Sequence, residues 1–300
     1  MPARLLLPLT YLLGVVFLIT FVLRSVRLAR LPVHLRWELA PVPHERGRNR
    51  YGGSYFEEYE WWKHPRSKSL VSELVYMAQE IVLLRAVWEH NRKLWWFSFP
   101  FHIGLYLLTA AAGLLLLSAA AGGIGLDWSG WGVVLKVLAG AGYVLGGAGA
   151  VGLVGKRLLE RELAAYTTRE SWLNLALLLV VFGTGLVALG GAGSAGEARA
   201  FVSALVRADT SLAVSPAVGV HVLSVMVFLA WLPFSRMMHF VAKYFTYHQV
   251  RWDDAPLERG GRMERELEQL LQQPVTWGAA HVGADGKKTW GEVAAGEVRQ

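Results

Sequence analysis

Three histidines stand where histidine is costly. His102 lies in PFHIGLYLL, and His221 and His239 bracket the apolar run HVLSVMVFLAWLPFSRMMHF. An ionisable side chain inside hydrocarbon is usually retained for function. The other histidines, His34, His44, His64, His90, His248 and His281, sit in polar sequence, where a surface role is the default. From 221 to 239 is eighteen residues, with only Arg236 titratable in between. Read as one straight helix, that interval is about five turns, so both rings face the same way about 27 Å apart, close to the hydrocarbon thickness. Two neutral imidazoles on different helices at one depth are the axial set of a six-coordinate b-type haem, and facing helices of a bundle commonly hold such a cofactor. His102 and His239 are therefore the expected haem-iron ligands. The competing reading is two interfacial histidines bonded to backbone or water. Arg236, near His239, is either a partner for a haem propionate or a plain membrane anchor.

These residues need helices that cross a membrane. The 300-residue chain is 54% hydrophobic with 13 Trp, and its apolar residues fall in five blocks, at 4–23, 101–121, 131–154, 172–191 and 217–236. Each has the length a helix needs to span about 30 Å of hydrocarbon. Lipid accepts only helices or closed barrels, because every backbone group must be bonded internally. The expected fold is thus all-α, a polytopic membrane protein with haem held between transmembrane helices 2 and 5. The first block runs into Arg24, Arg27 and Arg30 rather than a cleavage site, so it reads as a retained span. The chain has no cysteine, which rules out disulfides, cysteine-held iron–sulfur clusters and covalently attached c-type haem within it.

Charge gives the expected orientation. RSVRLARLPVHLR, HERGRNR, GKRLLERELAAYTTRE and HFVAKYFTYHQVR are basic, whereas the loops between spans 2 and 3 and between spans 4 and 5 carry only two arginines. Positive residues favour the cytoplasmic side, so the N-terminus is placed outside and the C-terminus in the cytoplasm. The net charge of +7 then reports loop orientation rather than nucleic-acid binding. The organisation read from this is a first transmembrane helix at 1–24, a cytoplasmic loop at 25–100 with an interfacial amphipathic helix, a four-helix haem-binding core at 101–236, and a cytoplasmic extension at 237–300 that docks a partner. The amphipathic helix is expected in SLVSELVYMAQEIVLLRAVWEHNRKLWW, where Leu70, Leu74, Met77, Ile81 and Leu84 recur at helical spacing. A short charged helix, RMERELEQLLQQ, is expected in the extension.

PFHIGLYLL, LPFSRMMHF and the eighteen-residue interval before His239, with the five-span topology, resemble the gamma subunit of respiratory nitrate reductase, a haem b subunit that oxidises quinol. WELAPVPHE, GGSYFEEYEWW, EHNRKLWW and DGKKTWGEVA look more like cytochrome b subunits of sulfite-reductase-linked and heterodisulfide-reductase-like complexes, which pair with a cytoplasmic iron–sulfur protein. The resemblance implies His102 and His239 as axial ligands of an inner haem b and His221 as a ligand of an outer one. In that family another histidine follows the first by about ten residues; here that position is Ala112, and no histidine or methionine lies between His102 and His221. The outer haem is therefore absent, five-coordinate, or completed by another chain.

The expected function is electron transfer between a membrane quinone or quinol, such as menaquinol, and a cytoplasmic iron–sulfur partner, in the inner membrane of a prokaryote. Quinone chemistry also needs a proton acceptor near the membrane boundary. Candidates are His90, Glu89, Lys156 and Arg157 on one side, and Asp127 and Asp209 on the other. A structural anchor with a vestigial haem site is the alternative. A transporter is disfavoured because the spans show few paired charges, no inverted repeat and no evident broken helix.

Overall fold

The apolar blocks become long helices because unbranched and small residues leave nothing to compete with the internal backbone ladder. A computed structural model describes residues 3–30, 59–60, 63–64, 69–123, 131–191, 194–246 and 259–296. His34, His44, Asp127, His248, WELAPVPHE and all but two residues of GGSYFEEYEWW lie outside them. In chain order the helices are α1 (Ala3–Ala29), α2 (Leu70–Val82), α3 (Arg85–His90), α4 (Arg92–Gly123), α5 (Gly132–Leu159), α6 (Arg161–Ala165), α7 (Arg169–Leu189), α8 (Ser194–Arg207), α9 (Pro216–Trp231), α10 (His239–Thr246), α11 (Arg262–Leu271) and α12 (Trp290–Ala295). Among the described residues, five helical segments are long and apolar enough to cross a membrane: Arg4–Ala29, Arg92–Ala121, Gly132–Leu159, Arg169–Leu189 and Pro216–Phe234. The protein is an all-α, multi-pass membrane protein.

The chain divides into two compact units, Met1–Arg24 with Met77–Met238, and Ser25–Tyr76 with His239–Gln300. In the first, α4 and α5 run antiparallel in very close contact. A Cβ on Gly104 would fall 2.3 Å from the backbone nitrogen of Gly146, and one on Gly149 would fall 2.5 Å from that of Phe101. Leu108 and Phe97 extend the seam, lying over Gly142 and Gly152. Small residues at helical spacing allow this approach, and in lipid such packing rather than solvent exclusion holds helices together. On its other side α5 meets α7, where Phe182 fills the space over Gly146 and stands edge-on to Phe101, ring centres 6.2 Å apart. Phe101, Ala150, Leu153, Leu178, Phe182 and Phe228 form the main core.

A second cluster joins α1 to the far end of the bundle. Leu6 and Leu7 are buried with Phe201 of α8 and Val214 and Val218 beside and within α9, and the Tyr11 hydroxyl donates to the Leu205 carbonyl. Most of the remaining length of α1, including Leu12, Leu18, Ile19 and Leu23, is apolar and exposed, as a lipid-facing surface must be. Helix α8 falls in what the sequence reads as a plain loop; its buried residues Ser194, Phe201 and Ala204 follow a helical repeat hidden among small and charged neighbours.

The expected amphipathic helix is broken into pieces. Leu84 adopts a left-handed backbone conformation, φ 51, which separates α2 from α3, and α4 starts at Arg92 rather than at 101. The end of α2 is tied to α4: the Trp95 indole donates to the Leu83 carbonyl at 2.8 Å and the Tyr106 hydroxyl to the Ile81 carbonyl at 2.7 Å. Carbonyls at a helix end have no partner within the helix, and these two side chains supply one.

In the second unit, α11 forms where the sequence places a charged helix. It is followed by a small folded module: a two-stranded pairing of β1 (Gly278–Ala279) with β2 (Ala284–Asp285), then α12. Val275 is fully buried there, Trp277 meets Trp290 edge-on at 5.9 Å, and Thr289 and Glu292 cap α12 reciprocally.

The α4–α5 seam predicts a contrast between two glycines of one helix. Gly104→Ala forces a methyl into the backbone of α5 and should destabilise the protein by about 1–3 kcal/mol. Gly113→Ala, with nothing within 4 Å of the new Cβ, should be neutral or stabilising by up to about 1 kcal/mol. Thermal melting of the two purified variants in detergent checks the order.

Candidate functional site

His102 projects from α4 one residue beyond Phe101, off the face that meets α5. Its Nδ1 is 2.7 Å from the Ser98 carbonyl. A carbonyl only accepts, so Nδ1 carries the proton and Nε2 keeps its lone pair, with the ring orientation fixed. Metal-binding histidines are characteristically oriented this way, the second ring nitrogen donating to a carbonyl. Among the described residues no three His, Cys, Asp or Glu side chains group to hold a bare metal ion. A porphyrin-borne iron asks the protein for only one or two axial groups, and the donor chemistry of His102 fits that demand.

The run carrying His221 and His239 is not one straight helix, which corrects the five-turn argument. Helix α9 ends at Trp231 and a 3₁₀ turn covers Leu232–Phe234; Ser235 is extended (φ −103, ψ 167), and a second 3₁₀ turn covers Arg236–Met238 before α10 begins at His239. Pro233 is the local cause, since it donates no hydrogen bond and its ring collides with the carbonyl four residues back. The phase and separation of the two histidines thus cannot be counted off at 3.6 residues per turn. The absence of a broken helix, one of the arguments against a transporter, does not hold either.

The freed backbone groups at the break are re-bonded, as lipid requires. The Ser235 hydroxyl donates to the Leu232 carbonyl at 3.0 Å and accepts from the Met237 amide at 3.1 Å. The Arg236 amide donates to the Glu170 carboxylate at the start of α7, while the Arg236 guanidinium lies 3.8 Å from the same carboxylate. One turn before the break, the Trp231 indole donates to the buried Asn174 of α7 at 2.7 Å. So α7 holds the end of α9 at two points. His239, exposed, opens α10 in the second unit, its ring edge-on to Phe240 at 6.4 Å.

His221 has its ring engaged on both sides. The Tyr143 hydroxyl of α5 is 2.7 Å from Nε2 and the Thr184 hydroxyl of α7 is 3.1 Å from Nδ1. Thr184 has the Val180 carbonyl as its own acceptor at 2.7 Å, which leaves its oxygen to accept the Nδ1 proton. Nε2 then carries the lone pair and accepts from Tyr143. Ser224, bonded to the His221 carbonyl at 2.8 Å, completes the cluster at 2.9 Å from Thr184.

The proposed proton acceptors are dispersed. Glu89 pairs with Arg85 at 2.6 Å, Lys156 pairs with Glu160, and Arg157 donates to the Leu153 carbonyl at 3.2 Å. His90 is exposed at the end of α3. Asp209, beyond α8, accepts from the hydroxyl and amide of Ser211 at 2.6 and 2.9 Å, and those bonds hold its carboxyl below the usual range, making it a poor base.

Sequence reasoning did not single out Tyr143, Thr184, Ser224, Asn174 or Glu170. A signal was present for most of them, because each of the first four is a polar side chain inside an apolar span and must find a partner there. Which partner is a tertiary matter.

A bundle of five apolar helices long enough to cross a membrane defines a class, the multi-pass helical membrane proteins. The sequence matches the nitrate reductase gamma subunit family over residues 87–253, more than half of the chain, and the protein belongs to that family of haem b membrane subunits of respiratory complexes. The match takes in His102, His221, the helix break and His239, and leaves α1 outside. No curated protein and no solved structure matches the chain.

Asn174→Leu removes the acceptor for the Trp231 indole while keeping the number and branching of the side-chain heavy atoms. Interhelical hydrogen bonds in membranes are worth about 0.6–2 kcal/mol, and the variant's melting temperature in detergent should fall accordingly. An unchanged melt would show that α7 does not hold the end of α9 through this bond.

Proposed function

We propose that this protein is the haem b electron-transfer subunit of a respiratory complex, with His102 and His239 as the axial ligands. It would exchange electrons between a membrane quinone and an iron–sulfur partner. The observation that carries the reading is the fixed Nδ1–H of His102, which presents an unprotonated Nε2 from a membrane span, in a chain of this family. Bound haem would supply reversible one-electron chemistry, and the chain supplies ligation, orientation and a low-dielectric surrounding. Ser98 holds the His102 tautomer. Arg236, exposed and opposed by Glu170, is available to exchange that carboxylate for a propionate. The helix break sets His239 at the start of a new helix, with an orientation that α9 does not dictate.

The iron–sulfur partner is proposed at the side reached by the C-terminal module, the cytoplasm in the orientation read from loop charge. Support comes from the exposed Trp277 and Trp290 on a small domain with its own buried residue, and from the likeness of DGKKTWGEVA to cytochromes of heterodisulfide-reductase-like complexes. His90 is the favoured proton acceptor for quinone chemistry on that side, being solvent-accessible beside the start of α4.

Purified protein should show dithionite-reduced b-type absorption bands. His102→Ala and His239→Ala should each remove the low-spin bands of the haem they share. A normal low-spin spectrum in both variants would overturn the pairing, and no b-type bands in the wild type would overturn the haem reading itself.

A further inference from the structure

The family resemblance offers His221 a second haem, but the residues around it do not fit one. We propose that Tyr143 takes the place of that haem: its hydroxyl caps the ligating nitrogen of His221, and with Thr184 and Ser224 it forms a hydrogen-bonded lock joining α5, α7 and α9. The inference rests on the reading of this chain as a haem b subunit with ligands His102 and His239, and it limits the haem count to one.

Four observations carry it. The Tyr143 oxygen stands 2.7 Å from Nε2, on the lone pair that a metal at about 2 Å would need. The other ring nitrogen is held by Thr184, so the imidazole cannot turn to present a different atom without breaking two bonds between helices. Moreover, the tyrosine ring is seated: a Cβ on Gly185 would fall 2.3 Å from its Cε1, so α7 has given up a side chain at the point where the ring lies. Lastly, no histidine or methionine occurs between His102 and His221 to provide an opposite ligand, and Ala112 is exposed on α4 rather than turned into the cluster. Every polar atom of the group finds a partner within it or on adjacent backbone. A second haem would have to open the whole group in a setting where no water replaces the lost bonds.

The test is haem per chain by pyridine haemochrome, with melting temperature in detergent, on the purified full-length protein and three variants. The wild type, His221→Ala, Tyr143→Phe and Ala112→His should each contain one haem per chain. His221→Ala and Tyr143→Phe should melt at lower temperature, because each removes a bond between α5 and α9. Two haems per wild-type chain, or a halving of haem in His221→Ala, would overturn the proposal. So would a second haem in Ala112→His with Tyr143 intact. Should His221→Ala fail to accumulate, Tyr143→Phe decides alone, since it keeps the ring in place; a melting temperature equal to wild type would remove the lock. A wild type with no haem is a distinct result and defeats the haem reading on which this inference stands.

Discussion

The backbone-to-backbone approach of α4 and α5 is the contact on which the rest of the bundle depends. With Gly104 against Gly146 and Gly149 against Phe101, there is no room for a side chain at Gly104 or Gly149, so the relative rotation of the two helices is set almost rigidly. Fixing α5 in this way turns Gly146 toward Phe182 and Tyr143 toward Gly185. Helix α7 is thereby placed, and with it the hydroxyl of Thr184 and the amide of Asn174. Helix α9 is then positioned by hydrogen bonds rather than by volume: His221 to Tyr143 and Thr184 at one end, Trp231 to Asn174 at the other. In lipid, where apolar contact alone distinguishes poorly between one helix face and another, these few polar bonds supply the specificity.

The same framework explains why the histidines have different surroundings. His102 lies on α4 beside the seam, and its Nδ1 donates to the Ser98 carbonyl of the same helix. That bond fixes the orientation of the ring. His221 lies where three helices converge and is tied to two of them. A histidine that bridges helices has become part of the packing. His239 is different again, since it lies beyond the break, exposed, at the start of α10.

Breaking the last span has a structural price that Glu170 and Ser235 offset. An interrupted helix inside a membrane exposes amides and carbonyls that lipid cannot satisfy. Here the Ser235 side chain bonds on both sides of the break and the Glu170 carboxylate takes the Arg236 amide. Arg236 and Glu170 are consequently linked through backbone and side chain alike, so the anchor and propionate readings of Arg236 share one residue rather than excluding each other.

The five spans were legible in the sequence because span length and apolar composition follow directly from bilayer thickness, and the charged helix at 262–271 was legible from its periodicity. The three membrane histidines and Arg236 were legible as candidates because ionisable groups in apolar runs are rare. Other features were not. Pro233 announced a break in the last span, but the straight-helix count of His221 to His239 ignored it. Helix α8 was hidden because its apolar stripe is short and diluted by Ala, Gly and Ser. The partners of His221 could not be read at all: Tyr143, Thr184 and Ser224 are distant in the chain, and their meeting depends on helix rotations fixed by glycine contacts. The sequence by itself determined what crosses the membrane and which side chains had to find partners there, since both are one-dimensional consequences of solvation. Only the tertiary structure decided which partners they found, because that choice belongs to the rotation of one packed helix against another.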